Sequence, residues 1–480
     1  MFIHKLIVPI LLTILLFSLF GFRADASALT FSDHKMTVNG SSTFDVCVLD
    51  YDYEDNAYVS LKDVALALKD SGCDFDVSVG ASSVDIVLDK KYSSPKHSPE
   101  AWNTEYVSAL SVSLKSNPIK INSQDRKYYS IIAKDADGNY DCFMSLLDIS
   151  MILNIKTRMD EDENISVDTE VLFSLDPVEM EEDGFFQSVN TVLVGNASTG
   201  QIYYSFNSEN DYPIASTTKL MTYLLTMDAV TDGTITLNQD GVVSEEGQML
   251  SRSQDGVIYM TRGDRIPVSE LITAALVRSS NEAALTLAET VSGSEEAFVE
   301  KMNEKAASLG MNSAIFYNSN GLPIFTKSIA AAKRQNRMSS EDMFKMVSHI
   351  LNVYPQITDI TSLKKQKLEV LGVEVETTNG VLYNIPECTG LKTGTTTKSG
   401  ACLVTSLRYN DQDLVVVLLG SEGSMDRIRI SEALSRYAIS RVSGIESEED
   451  EPILEGKIAL EDIVRRVLKK AKTEKSNAMQ

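Results

Sequence analysis

Histidine, cysteine and positive charge are all scarce in this chain of 480 residues, and each shortage closes off a kind of chemistry. The four histidines, His4, His34, His97 and His349, do not cluster. A zinc centre or a Ser-His-Asp triad needs imidazoles gathered with their partners, and this spacing gathers none. The five cysteines, Cys47, Cys73, Cys142, Cys388 and Cys402, are odd in number and fit no metal motif. Cys388 and Cys402 could meet across a hairpin, but we expect burial as small apolar residues. No metal or other cofactor is expected. Lys and Arg number 44 against 68 Asp and Glu, a formal net charge of −24. Nucleic-acid binding needs a basic footprint, so that class of partner is set aside. The acidic balance fits a soluble protein working outside the cell.

Long apolar runs are also lacking, with one exception. Leu6 to Phe22 is apolar but for Pro9, Thr13, Ser18 and Gly21. It follows His4 and Lys5 and precedes Arg23-Ala24-Asp25-Ala26-Ser27-Ala28, which offers two small-x-small sites. This pattern predicts a cleavable export signal over 1–28 and an extracytoplasmic protein. The competing reading is a retained anchor, because the run is almost long enough to span a bilayer. The length suggests two or three domains, and a hydrophobic content of 43% is enough for ordinary cores.

Residues 29–170 read as one unit built twice. Thr37-Val38-Asn39-Gly40 opens the first half and Lys120-Ile121-Asn122-Ser123 the second. Tyr58 to Leu68 is answered by Phe143 to Leu153, with Ser60 and Ser145 as N-caps and Asp63 and Asp148 at the capping-box position. Each half ends in a short alternating strand, Val84 to Leu88 and Ile165 to Val167. The expectation is an α+β repeat. Its first half resembles the stalk-like domain named for the N-termini of copper amine oxidases. It carries no copper site here, and the resemblance implies a spacer or a wall-facing binding module. Residues 171–188 read as a linker, acidic around Glu179 to Asp183.

From 189 to 440 the pattern changes. A hairpin, Thr191 to Val194 and Gln201 to Tyr204, turns at Asn196 to Gly200. Helical spacing then runs over Ser269 to Ala288, Glu295 to Leu309 and Ser339 to Leu351. Strands return at Leu368-Glu369-Val370, Gly390 to Thr393, Ala401 to Thr405 and Leu414 to Leu419, and a helix closes over Met425 to Ser440. Strands at both ends with helices between predict one sheet with a helical insertion. In the tail, 441–480, an acidic run over Glu446 to Glu451 leads to Ile458, Leu460, Ile463, Val464, Val467, Leu468 and Ala471 at helical spacing, set among lysines and arginines. Such a basic amphipathic helix can lie on an anionic membrane surface, or dock on its own protein.

Between hairpin and helices lies Tyr212 to Thr222, which holds Ser216 and Lys219. Residues three apart share a helix face, so the Lys219 amine would stand beside the Ser216 hydroxyl. A lysine whose pKa is lowered by desolvation can take the proton of a serine nucleophile. The spacing by itself is weak evidence, since Ser93-Ser94-Pro95-Lys96 and Ser362-Leu363-Lys364-Lys365 share it. Two further pieces accompany it. Ser279-Ser280-Asn281 falls within the first helical pattern. Lys392-Thr393-Gly394, beside Thr395, ends a strand: Gly394 lets a substrate backbone approach and Lys392 offers a cation for a carboxylate. Lys398-Ser399-Gly400 competes for that role but falls in a turn.

The three motifs in this order are the set found in penicillin-binding proteins and class A β-lactamases. Over Val189 to Ser440 the chain resembles the serine-type D-alanyl-D-alanine carboxypeptidases, the low-molecular-mass penicillin-binding proteins. Pro213 to Thr222, Asn320-Gly321-Leu322 and Gly390 to Thr395 strengthen the likeness. Three positions depart from it: Glu282 and Thr389 where aspartate is usual, and Asn320 where histidine is common. The resemblance implies an α/β (α+β) fold, a transpeptidase-like sheet flanked by helices with a helical subdomain. It also implies roles. Ser216 attacks the carbonyl between two terminal D-alanines of a peptidoglycan stem peptide, and Lys219 takes its proton. Ser279 relays a proton to the leaving amine, and Asn281 orders Lys219 and the substrate amide. Lys392, Thr393, Gly394 and Thr395 receive the terminal carboxylate, and the N–H groups of Ser216 and Thr395 form the oxyanion hole. β-Lactam antibiotics would acylate Ser216. Two other readings compete: a class A-like β-lactamase, for which no convincing loop glutamate is found between Asn281 and Lys392, and a non-catalytic penicillin-binding or wall-binding protein.

Overall fold

A computed structural model describes residues 29–51, 58–93, 115–135, 138–159, 164–171, 173–182, 186, 188–324 and 334–443. The apolar leader over 1–28, the acidic run at 446–451, the amphipathic stretch at 458–471 and residues 94–96 of one competing Ser-x-x-K lie outside the described residues. The chain divides into two compact units, one ending at Phe173 and one starting at Ser174.

In the first unit, one half consists of β1 (Leu29–Val38), β2 (Ser42–Tyr51), β3 (Tyr58–Ser60), α1 (Leu61–Ala67), β4 (Phe75–Val79) and β5 (Val84–Leu88). The other repeats that order as β6 (Lys115–Ile121), β7 (Gln124–Lys134), β8 (Tyr140–Ser145), α2 (Leu146–Leu153), β9 (Lys156–Met159) and β10 (Ile165–Asp168). They form one ten-stranded sheet in the order β4-β5-β6-β7-β8-β3-β2-β1-β10-β9. The last strand of each half pairs in parallel with the first strand of the other, β5 with β6 and β10 with β1. The halves are therefore interlocked. Asn39 and Asn122 make the same joint twice. Each sits at positive φ, 49° and 48°, which asparagine tolerates better than most side chains. The Asn39 N–H donates to the Val167 carbonyl at 2.8 Å, and its Oδ1 accepts from the Thr169 N–H at 2.9 Å. The Asn122 N–H donates to the Ile86 carbonyl at 2.9 Å, and its Oδ1 accepts from the Leu88 N–H at 2.9 Å. Ser60 caps α1 by accepting from the Asp63 N–H at 3.1 Å, and Ser145 caps α2 by accepting from the Leu147 N–H at 3.3 Å. No disulfide forms among the five cysteines, and all five are buried.

The second unit begins within the stretch read as a linker. That stretch holds a short helix, α3 (Pro177–Glu182), and three buried apolar anchors, Leu175, Met180 and Phe186. The Phe186 ring lies 5.7 Å from Tyr204 and 5.8 Å from Phe206. Acidic neighbours had masked these anchors in the composition. The strands that follow are β11 (Thr191–Asn196), β12 (Gln201–Phe206), β13 (Tyr212–Pro213), β14 (Asp240–Val242), β15 (Arg265–Pro267), β16 (Arg337–Met338), β17 (Lys365–Leu368), β18 (Val373–Glu376), β19 (Cys388–Thr396), β20 (Gly400–Tyr409) and β21 (Gln412–Ser421). The helices are α4 (Lys219–Thr231), α5 (Glu245–Ser251), α6 (Val268–Val277), α7 (Asn281–Ser292), α8 (Glu295–Ser308), α9 (Ser340–Val353), α10 (Ile357–Thr361), α11 (Val381–Asn384) and α12 (Asp426–Val442).

Five of these strands make an antiparallel sheet in the order β12-β11-β21-β20-β19. Its two ends come from either side of the helical insertion, as the alternation of patterns predicts. Strand β21 is buried on both faces. Val415, Val417 and Leu419 join the same core as Met343, Phe344 and Val347 of α9. Leu414, Val416 and Leu418, on the alternate face, are equally buried, and α12 packs against the strand. Full burial of such a side chain is worth about 1.5–3 kcal/mol, so this strand anchors the sheet. Gly195 lets α9 come close: a Cβ there would lie 2.8 Å from the Phe344 ring.

Three local expectations change. The helix expected over Ser269 to Ala288 is two helices, α6 and α7, broken at Arg278 to Ser280. Ser279 is left-handed, with φ 67°, and the Ser280 hydroxyl caps α7 by accepting from the Ala283 N–H at 3.1 Å. Capping by a serine side chain outcompetes continuation of the helix here. The strand expected at Leu368 to Val370 ends at Leu368. Ser216 lies on a 3-10 turn, Ala215–Thr218, and α4 proper starts at Lys219.

Candidate active site

The 3-10 turn and the first turn of α4 bring the i and i+3 side chains together. Nearly the whole of α4 is buried, including Lys219, which is 1% exposed. Its amine has nowhere to go but back along the helix toward Ser216. The Lys219 Nζ stands 2.9 Å from Ser216 Oγ, 2.7 Å from Asn281 Oδ1 and 2.7 Å from the Asn320 carbonyl oxygen. A neutral amine has two N–H donors and one lone pair. The two carbonyl oxygens can only accept, so they take the donors and leave the lone pair facing the Ser216 hydroxyl. Burial lowers the Lys219 pKa to about 7, against the opposing pull of the Glu282 carboxylate. That is the range a general base needs at neutral pH.

The Asn320 carbonyl is held in place by its own loop. The Asn336 amide donates to the Asn318 carbonyl at 2.9 Å and to Thr218 Oγ1 at 3.0 Å. The Ser319 N–H and hydroxyl both donate to Glu295 Oε1, at 2.9 and 2.6 Å, and the Thr222 hydroxyl donates to the Ser319 carbonyl at 2.5 Å. Gly321, at φ 89°, passes so close to the nucleophile turn that a Cβ would fall 1.9 Å from the Ala215 oxygen. Ala215 itself is left-handed, with φ 45°. Ala215, just before Ser216, and Ser279, at φ 67°, both hold a costly backbone conformation, as residues at functional sites often do.

Asn281 opens α7 and is nearly buried. Its Oδ1 faces Lys219 while its Nδ2 donates to the Asp255 carbonyl at 2.8 Å. Among the described residues, Ser279 makes no hydrogen bond to Ser216 or Lys219. It is half-buried at the break between α6 and α7.

Strand β19 forms the other wall. A Cβ on Gly394 would lie 2.9 Å from the Ser216 nitrogen and 2.9 Å from the Ile214 oxygen, so only a bare backbone fits there. Side chains alternate along a strand, which turns Lys392 to the same side as that contact. Lys392 is 1% exposed and donates to the Thr393 carbonyl at 2.9 Å. Burial, with the positive charges of Lys219 and Arg427, pushes its pKa well below the usual ammonium range. Thr393 shares a hydrogen bond with the Thr378 hydroxyl. Thr395 is exposed, and its hydroxyl accepts from Arg427 Nη1 at 2.7 Å. The same nitrogen donates to the Gly394 carbonyl at 3.2 Å. Lys398 is exposed in the β19–β20 turn.

Arg427 was missed in reading the sequence. Its signal was a charge on the apolar stripe of α12, where Arg427, Ile430 and Leu434 share a buried face. Two of the departures from the family pattern are accommodated locally. Thr389 Oγ1 pairs with Ser406 Oγ at 2.7 Å, and Asn320 Oδ1 accepts from the Leu322 N–H at 2.9 Å.

Comparison with known proteins places this geometry. A family model described as D-alanyl-D-alanine carboxypeptidase, peptidase S11, matches residues 180–423, half of the chain. The D-alanyl-D-alanine carboxypeptidase DacF of Bacillus subtilis is 31% identical over 244 residues, covering 50% of this chain and 59% of that protein. A D-alanyl-D-alanine endopeptidase of Pseudomonas aeruginosa is 29% identical over 253 residues, covering 52% of this chain and 76% of its own length. Among solved structures, penicillin-binding protein D2 of Listeria monocytogenes, in its ampicillin-bound form, is 26% identical with a TM-score of 0.46, covering 52% of this chain and 97% of that one. The match thus takes in less than two thirds of the Bacillus relative's length.

Proposed function

The chain belongs to the peptidase S11 family of D-alanyl-D-alanine carboxypeptidases, and on that premise we propose that it removes the terminal D-alanine from peptidoglycan stem peptides through an acyl-enzyme on Ser216. The observation that carries this reading is the three-way placement of the Lys219 amine, with two carbonyls on its donors and the Ser216 hydroxyl at 2.9 Å. Ser216 Oγ attacks the carbonyl between the two D-alanines as its proton passes to Lys219. The N–H groups of Ser216 and Thr395 hold the developing oxyanion, a contribution that usually carries a large share of the rate. The C–N bond then breaks. The proton on Lys219 passes to the leaving amine, Ser279 serving as the relay only once the bound substrate bridges the gap to Lys219, and D-alanine departs. Water attacks the remaining ester, and its proton returns through Lys219 to Ser216.

The substrate's carboxylate answers an electrostatic demand of the site. Lys219 and Lys392 are buried together with Arg427 behind them, and their mutual repulsion opposes holding a proton on both amines. A carboxylate docked at β19 near the Lys392 ammonium keeps the proton on Lys392 and leaves Lys219 as the neutral base. The ring carboxylate of a penicillin would use the same cations. The work is extracytoplasmic, directed by the apolar leader. The first unit, over 29–170, serves as a spacer or wall-facing module, and the basic stretch at 458–471 meets an anionic membrane surface. Among the described residues no helix is long and apolar enough to cross a membrane.

The test is acylation of the purified protein by a labelled penicillin, with the modified residue mapped, beside release of D-alanine from a peptide ending in D-Ala-D-Ala. Ser216→Ala should abolish both. Labelling that persists on another serine would refute the assignment.

A further inference from the structure

Glu282 is a buried carboxylate that the mechanism above does not use. It is 0% exposed, at the first turn of α7, directly after Asn281. It accepts from the Val257 N–H at 3.1 Å and also from the Ile258 N–H. A charge taken wholly out of water needs such bonds to persist. Two residues before Val257, the Asp255 carbonyl accepts from the Asn281 amide at 2.8 Å. The stretch from Asp255 to Ile258 is thus fastened to α7 at two adjacent residues, once by the Glu282 carboxylate and once by the Asn281 amide. The second fastening decides which way the amide points. With Nδ2 on the Asp255 carbonyl, Oδ1 is presented to Lys219 at 2.7 Å. If the stretch moves away, the amide loses the partner that distinguishes its nitrogen from its oxygen, and a flipped amide would put a donor against the amine.

We propose that Glu282 is a positioning residue for acylation: it holds the Asp255 to Ile258 backbone so that the Asp255 carbonyl locks Asn281 with its oxygen on the Lys219 amine. This rests on the reading of Ser216 and Lys219 as nucleophile and base. A bystander carboxylate would act on folding alone. This one acts on Lys219 in two ways, through the geometry just traced and through its charge. Among the described residues, the charged groups around Lys219 are Glu282 on α7 and Lys392 on β19, with Arg427 of α12 behind Lys392. The loop from Asn318 to Leu322 faces Lys219 with a carbonyl only, and Glu295 lies behind it on Ser319. Glu282 is therefore the anion that favours the protonated form of Lys219.

Two variants of the full chain separate geometry from charge. Glu282→Asp keeps the charge but falls short of the Val257 and Ile258 donors. Glu282→Gln keeps the reach and removes the charge. The measurement is the second-order acylation rate by labelled penicillin across pH, with thermal midpoints in parallel. Weakening hydrogen bonds to a charged group should slow acylation about tenfold or more for Glu282→Asp, with the acid limb where it was. For Glu282→Gln the limb should move to lower pH, because Lys219 loses the anion that favoured its protonated form. Acylation at the wild-type rate in Glu282→Asp overturns the proposal, and so does a Glu282→Gln profile whose limb stays in place. If Glu282→Gln does not fold, Glu282→Asp alone decides. Persistent labelling of Ser216→Ala would instead refute the underlying reading of the site, so the two failures are distinguishable.

Discussion

Gly321→Ala is a sharp test of how the site is held, because it adds one methyl and removes no reacting group. The position has φ 89°, where an L side chain is strained by about 1–2 kcal/mol. The larger effect is steric. The new Cβ would lie 1.9 Å from the Ala215 oxygen, 2.4 Å from its carbon and 2.9 Å from Thr218 Oγ1. The first two are backbone atoms of the nucleophile turn, so no side-chain rotation relieves the clash. Turn and loop must part by roughly 1 Å. That shift moves the Asn320 carbonyl off Lys219, or Ser216 out of line, or both. Misplacement on this scale costs about a hundredfold in rate, roughly 2.7 kcal/mol of transition-state stabilisation. The assay is acylation by labelled penicillin under second-order conditions, with the thermal midpoint recorded on the same preparation. We expect acylation down about a hundredfold at pH 8, in a protein that still folds. Gly321→Ala acylating within a few-fold of wild type would show that the loop does not brace the nucleophile turn.

Other outcomes follow from the same geometry. With Lys219 titrating at about 7, acylation should fall about tenfold per pH unit below pH 6, and Lys219→Arg should fail because arginine keeps its proton; near-normal acylation by that variant would place the base elsewhere. The folded-state value lies below the 10.5 of an ordinary lysine, so the folded protein binds fewer protons than the unfolded one between the two values, and stability should rise with pH across that window. Denaturant unfolding should show this rise, flattened in Lys219→Met. Lys392→Ala should lose D-alanine release by orders of magnitude while Lys398→Ala stays within a few-fold, and the opposite ranking would move the carboxylate site into the turn. Asn39→Ala and Asn122→Ala should each destabilise the first unit by about 1–2 kcal/mol in chemical unfolding without changing acylation. Cutting the chain after Gly444 should release the mature protein from anionic vesicles with its kinetics intact; binding unchanged by the cut would remove the tail from membrane attachment.

The residue spacing in the sequence was enough to pair Ser216 with Lys219, because a three-residue step on a helical turn is a local matter. The twofold repeat of the first unit was legible for a similar reason: the caps Ser60 and Ser145 act within a few residues of themselves, although Asn39 and Asn122 bond to residues 130 and 34 positions away. What spacing does not contain is which distant groups meet. It showed the two halves in succession, whereas the sheet interlocks them, β5 with β6 and β10 with β1. It put Ser279 inside a helix, whereas the Ser280 cap breaks that helix and turns Ser279 left-handed. It named Asn281, but the orientation of its amide is decided by a carbonyl 26 positions away. Arg427 reaches β19 from α12, and no local pattern ties it to Thr395. Lys219 itself shows the division. Lysine at position 219 is written in the chain, but only complete burial, produced by elements far apart in sequence, lowers that amine to about 7.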